Sequence, residues 1–340
     1  MNNDAVYEHS PVTRRKLTDL FTREEIRQLT QRSDAMGFWA VGSTWAIIAA
    51  AFVLLAHLGG QPAWLALPLA ALCVAVIAGR QLALAIMMHD AAHGTLFKSR
   101  WLNEVFTDRV CARPIWNDLL KYRAHHFIHH TKTGTAQDSD ITLTAAFPTT
   151  RASLARKFLR DLSGLTGLKF FLGRLLQDAG YLKWTVANDV VVLPANGRKW
   201  YDYVLAALRN MMPMLIANGV LFAVFAAAGH PLLYGVWILA YTTPFPLFVR
   251  IRSMAEHGCT EKSTDMFRNT RSTRAGRLAR SFVAPLRVHY HIEHHVMASV
   301  PYFRLQAMHR MLLERGAVSE PPGYVDVLRI VSAAGQVQEV

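Results

Sequence analysis

The chain has 340 residues, is 52% hydrophobic and only 18% charged, and carries a formal net charge of +13. That is less charge than a typical soluble domain holds, and the long charge-free stretches point to a multi-pass membrane protein. The positive balance without any nucleic-acid-binding motif argues for basic cytoplasmic loops and no nucleic-acid partner; the scattered Cys73, Cys111 and Cys259 argue against a disulfide framework or a thiolate metal site.

Residues 1–34 read as a cytosolic N-terminal tail, polar and mixed in charge, with no cleavable signal peptide. Within it, Thr22-Arg23-Glu24-Glu25 predicts a helix start with acidic residues in the first turn. Arg14, Arg15, Lys16, Arg23, Arg27 and Arg32 predict contact with anionic lipid. Residues 37–58 hold no charge, and as a helix they reach about 33 Å, enough for a bilayer core. Gly59-Gly60-Gln61-Pro62 is a tight turn, and a second span follows over 63–88, with Pro68 as a kink.

Residues 89–200 show no convincing span and read as part of a cytosolic helical cap. In 153–177 apolar residues recur at helical period, from Leu154 to Leu175, predicting one amphipathic helix on the membrane surface or against the cap. A third span is expected over about 203–228, the turn Gly229-His230-Pro231 follows, and a fourth span, over about 232–252, contains Pro244 and Pro246. The cap resumes over 253–316, where Tyr302–Arg315 predicts an amphipathic helix closed by Gly316. Residues 317–340 read as a loosely held C-terminal tail. The predicted fold is therefore all-α: four transmembrane helices in two hairpins, forming one membrane domain over 35–316. Neither hairpin turn carries Lys or Arg, so the positive-inside rule puts both termini in the cytoplasm.

That orientation places three histidine clusters on one face. They are His89-Asp90-Ala91-Ala92-His93, His125-His126-Phe127-Ile128-His129-His130 and His289-Tyr290-His291-Ile292-Glu293-His294-His295. With His257 they account for eleven of the fifteen histidines. His89 and His93 stand one helical turn apart, as do His291 and His295, which share a face with His294. Neutral imidazole ligates iron, zinc, copper or nickel, so the clusters predict a metal site. The sequence has no Glu-x-x-His pair of the soluble di-iron bundles and no zinc-protease HExxH. Asp90, Glu256 and Glu293 adjoin these histidines and are candidates to orient imidazole N–H groups. Asp138 and Asp140 read as loop residues, and His9, His57, His230 and His309 carry no motif and are assigned no metal.

The set resembles the three histidine boxes of the membrane fatty acid desaturase and hydroxylase superfamily, over roughly residues 35–315. The boxes stand here as His89-x3-His93, His125-x3-His129-His130 and His291-x2-His294-His295, in "HDAAHGTLF", "HHFIHHTKTGT" and "HYHIEHHVMASVPYFRL". The resemblance implies two iron ions as cofactors, with O2 as co-substrate. It implies nine ligands: His89, His93, His125, His129, His130, His257, His291, His294 and His295. His257, in "RSMAEHG", matches the extra ligand that relatives carry before the third box. The second box also reads from His126 as HxxHH; His126 and His289 are taken as residues supporting the ligands.

The resemblance further implies removal of hydrogen from an unactivated C–H bond, chemistry that a cofactor must supply. The expected activity is introduction of a double bond into a fatty acyl chain of a lipid. The alternative is a hydroxylase or ketolase of a lipid, hydrocarbon or carotenoid, and a third reading is a non-catalytic metal-binding or metal-transporting membrane protein. A transporter would place polar ligands near the bilayer midplane, where these spans have almost none. There is no His-Pro-Gly-Gly haem segment and no cysteine cluster. An external electron donor is implied, of ferredoxin, rubredoxin or Rieske type, at the cytoplasmic face of a cell inner membrane. A third box opening on His291 and not on Gln argues against the fused-donor relatives.

Overall fold

The computed structural model describes residues 17–184 and 190–334; His9, Arg14, Arg15 and Lys16 lie outside them. It is mostly helical. Helix α1 (Arg23–Leu29) begins at Thr22 as predicted, with a capping box in which Thr22 and Glu25 satisfy each other's amides at 2.8 and 3.2 Å. α2 (Asp34–His57) and α3 (Ala63–Ala92) form the first hairpin. α7 (Trp200–Ala227) is the next long apolar helix, and three helical stretches, 23–57, 63–92 and 200–227, are long and apolar enough to cross a membrane.

The fourth predicted span is not one helix. It is α8 (Leu233–Thr242) followed by α9 (Pro244–His257), broken at Thr243, whose φ −114°, ψ −78° is distorted from ideal helical values. The cause is Pro244: it has no N–H to donate, and its ring crowds the preceding residue and distorts the backbone there. The helix expected over 153–177 is also two, α5 (Arg151–Leu162) and α6 (Leu165–Asp178), parted by Gly164 at φ +85°. Among the described residues the fold departs from all-α by one antiparallel pair, β1 (Leu182–Trp184) with β2 (Val190–Val192).

The main core gathers around α3, which runs about 45 Å at the helical rise from the hairpin turn into the cap. Ile77, Leu84 and Met87 of α3 pack with Trp237 of α8 and with Leu96, Phe97 and Ile115 of the following segment, all essentially unexposed. Gln81 Nε2 donates to the Trp237 carbonyl at 2.9 Å, satisfying a buried N–H that would otherwise cost stability. Beyond α3, two short π-helical turns and a 3₁₀ turn over 102–115 lead to α4 (Leu119–Lys132), capped by Asp118 on the Lys121 amide at 3.0 Å.

In the cap, α10 (His291–Val296) and α11 (Leu305–Glu314) pack with α1 through Phe21, Leu29, Met297, Leu305, Met308 and Leu312. The N-terminal residues read as a tail are thus anchored from Leu17 onward. So is the C-terminal segment: α12 (Tyr324–Val331) buries Val327 and Val331, one turn apart, against Met254 and Ala255 of α9.

Candidate metal centre

Four elements bring the histidines together. The end of α3 supplies His89 and His93, α4 the second box, the last residue of α9 His257, and α10 the third box. Their imidazoles form two adjacent sets. His89, His93, His126, His130 and His294 make one, and His129, His257, His291 and His295 the other; within each set the candidate ligand atoms all lie within 4.8 Å of one another. In the first, His130 Nε2 stands 3.0 Å from the Nε2 atoms of both His126 and His294. In the second, His291 Nε2 is 2.9 Å from His257 Nε2 and 3.1 Å from His295 Nε2. The sets abut where the rings of His130 and His295 stack at 4.3 Å.

Groups outside the sets fix how several rings point. His89 faces Asp90 at 2.8 Å through Nδ1, His129 faces Asp138 at 2.8 Å through Nδ1, and His257 donates from Nδ1 to the Asn269 carbonyl at 3.2 Å. With Nδ1 as the donor, Nε2 keeps its lone pair and aims it inward. Asn269 is itself held by the Thr133 carbonyl at 3.0 Å. Beside it the chain passes Gly134 at φ +78°, where a Cβ would sit 2.1 Å from the Ser263 carbonyl oxygen, so only glycine permits the approach.

Burial, reinforced by neighbouring imidazoles, holds His126, His291, His294 and His295 well below the ordinary histidine range. These rings are neutral, the form a metal binds. His129 is the exception: burial lowers it, but the Asp138 hydrogen bond and the charge of Asp140 outweigh burial and raise it. The arrangement fits a cation. His89 Nε2 and His93 Nε2 are buried and have no hydrogen-bond partner, and lone pairs converging at about 3 Å are tolerable only around a shared positive charge.

The fatty acid desaturase family model matches residues 62–322. The chain belongs to that family. It is also 24% identical over 313 residues to dihydrorhizobitoxine desaturase of Bradyrhizobium elkanii, covering 90% of this chain and 82% of the relative. Fatty acid desaturases are oxidoreductases, which makes this chain an enzyme of that class, associated with a membrane and with a lipid acyl substrate.

Not every residue singled out from the sequence enters the two sets. His125 does not: it sits half-buried at the edge of α4 with Nε2 2.8 Å from Asp140 Oδ1. His126 stands in the place expected of it, and the geometry favours the register His126-x2-His129-His130 over the one read from His125. The reason is helix phase. On α4 His126 and His130 lie about 40° apart and His129 about 60° to the other side, while His125 lies further round. Asp138 and Asp140, read as loop residues, are the partners of His129 and His125. His289 stays outside both sets, its ring against Tyr290 at 4.3 Å.

Glu256 Oε1 accepts from Arg252 at 2.6 Å, and Oε2 lies 3.5 Å from His291 Nε2. Glu293 touches no imidazole of the sets; it binds Ser272 and His309, each at 2.5 Å. His309, given no role from sequence, was missed because its partner is sixteen residues away on another helix.

Proposed function

We propose that the protein is an O2-dependent membrane oxidoreductase that introduces a double bond into the acyl chain of a lipid, using two iron ions held by nine histidines. The carrying observation is the pair of adjacent all-histidine sets where apolar α3 enters the cap. His89, His93, His126, His130 and His294 would hold one iron; His129, His257, His291 and His295 the other. The bound metals supply O2 activation, which no side chain here provides.

The protein's own residues do the rest. Asp90, Asp138 and the Asn269 carbonyl hold ligand rings in one tautomer, and the buried wall of Met87, Met88, Ala91 and Leu96 keeps water from the α3 side. Desaturation is favoured over hydroxylation by the relative whose printed name is a desaturase. Four crossings, with α8 and α9 as a broken fourth, would put both termini and both sets on the cytoplasmic side of a cell inner membrane, reached by an external ferredoxin-, rubredoxin- or Rieske-type donor.

The test is a comparison of lipids from cells with and without the gene, by mass spectrometry, with iron measured on anaerobically purified protein. Loss of two hydrogens from an acyl chain and about two irons per chain are expected. Gain of one oxygen would replace desaturation by hydroxylation, and protein that takes up zinc but no iron would end the di-iron reading.

A further inference from the structure

The third box rides on a helix that cannot hold itself in place. α10 has six residues and no side-chain cap at its start, and so short a helix does not persist in water on its own. Its three set members share one face, since His294 and His295 lie about 60° and 40° to either side of His291. Glu293 falls on the opposite face and is fully buried there, 0% exposed. A carboxylate so placed needs partners on that side.

It has two. Oε2 accepts from Ser272 Oγ and Oε1 meets His309 Nδ1, both at 2.5 Å. Ser272 Oγ also accepts from the Ile292 amide at 3.0 Å, one of the first-turn N–H groups that a helix cannot satisfy internally. His309 is rooted in α11 between Met308 and Leu312, which are both unexposed, and its ring lies 4.9 Å from that of Tyr290. One side chain of α10 and one of its amides are therefore tied to two separate parts of the cap.

We propose that Ser272, Glu293 and His309 form an anchor that sets the position of α10, which makes His309 a positioning residue for the metal centre although it lies in no histidine box. This rests on the reading of the two sets as metal sites. Because α10 gives His291 and His295 to one set and His294 to the other, loosening the anchor disturbs both sets at once. Without His309, Glu293 keeps a single partner, and the cavity of about 520 Å³ lined by Ser272, Ile292 and His309 offers water a way to the back of the helix.

The experiment uses the full chain in detergent, stripped of metal and titrated with cobalt(II), reading uptake and visible absorption. Wild type should take up about two ions. His309→Leu should bind about 10–100-fold more weakly at both sites, with altered absorption bands, the range seen when a partner of a ligand is lost. His309→Asn, which keeps an N–H near the Nδ1 position, should restore most of the affinity. If His309→Leu does not accumulate, Ser272→Ala removes the other donor without touching α11, and the same loss at both sites is expected.

Wild-type affinity and spectrum in the folded fraction of His309→Leu, or of Ser272→Ala where the first is not obtained, would overturn the anchor even if the melting temperature fell. A wild-type protein that takes up no cobalt would overturn the metal reading and the anchor with it.

Discussion

The register of the second box gives the sharpest test of the centre. His126→Ala deletes an imidazole whose Nε2 stands 3.0 Å from His130 Nε2 and which is 3% exposed. The first set drops from five imidazoles to four. Structural zinc sites bind with about 10–16 kcal/mol through four ligands, or about 2.5–4 kcal/mol per ligand. By that scale, losing one ligand weakens metal binding by roughly 10²–10³-fold. His125→Ala removes a half-buried ring bonded to Asp140. It costs about one ordinary hydrogen bond, near 1 kcal/mol, and leaves all nine converging nitrogens in place. Iron per chain and product per folded protein, measured on both variants beside wild type, separate the cases. His126→Ala should be depleted in metal and inactive; His125→Ala should keep its metal and most of its activity. The reverse pattern would refute the proposed register and the inference from helix phase behind it.

Two further outcomes are expected. Metal-free protein should lose stability on acidification: burial holds His93 down to about 4 and His130 to about 2. An unfolded chain takes up those protons at its ordinary pKa near 6.5, so the melting temperature should be highest above about pH 6.5 and fall progressively below it, and a flat profile between about pH 4 and 7 would contradict neutral buried imidazoles. Cysteines replacing Gly60 and His230, in the two uncharged turns, should react with an impermeant thiol reagent added to intact cells; labelling of a cysteine at Lys132 instead would invert the proposed orientation.

Much of the fold was legible because its causes are local. Absence of charge over 37–58, and a run over 63–88 whose one charge is Arg80, are enough to mark α2 and α3, and the Thr22–Glu25 capping box marks α1 within one turn. What was misread depends on events at single residues or across long distances. Pro244 splits the fourth span at Thr243, and Gly164 splits the amphipathic stretch; both breakers are visible in the sequence, but whether a proline kinks a helix or ends it depends on the packing around it. The C-terminal tail became α12 because Val327 and Val331 found Met254 and Ala255, partners more than seventy positions away. His309 was invisible for the same reason, since nothing near it in sequence shows that Glu293 needs it.

The register of the second box was legible in principle, from a repeat. Read from His126, the second box is HxxHH, the same spacing as His291-x2-His294-His295. Helix geometry then dictates how each box divides. Its first and last histidines, four apart, lie about 40° apart and serve one set; the middle one, three from the first, lies on the other side and reaches the neighbouring set. The structure follows this rule in both boxes with the sets exchanged. His126 and His130 join the first set and His129 the second, while His291 and His295 join the second and His294 the first. Two helices with the same spacing each give two imidazoles to one set and one to the other. His89 and His93 then complete the first set and His257 the second, which is why the sets hold five and four. Reading from His125 breaks this exchange, because His125 and His129 would claim one set and leave His126, buried among five other imidazole rings, with no task.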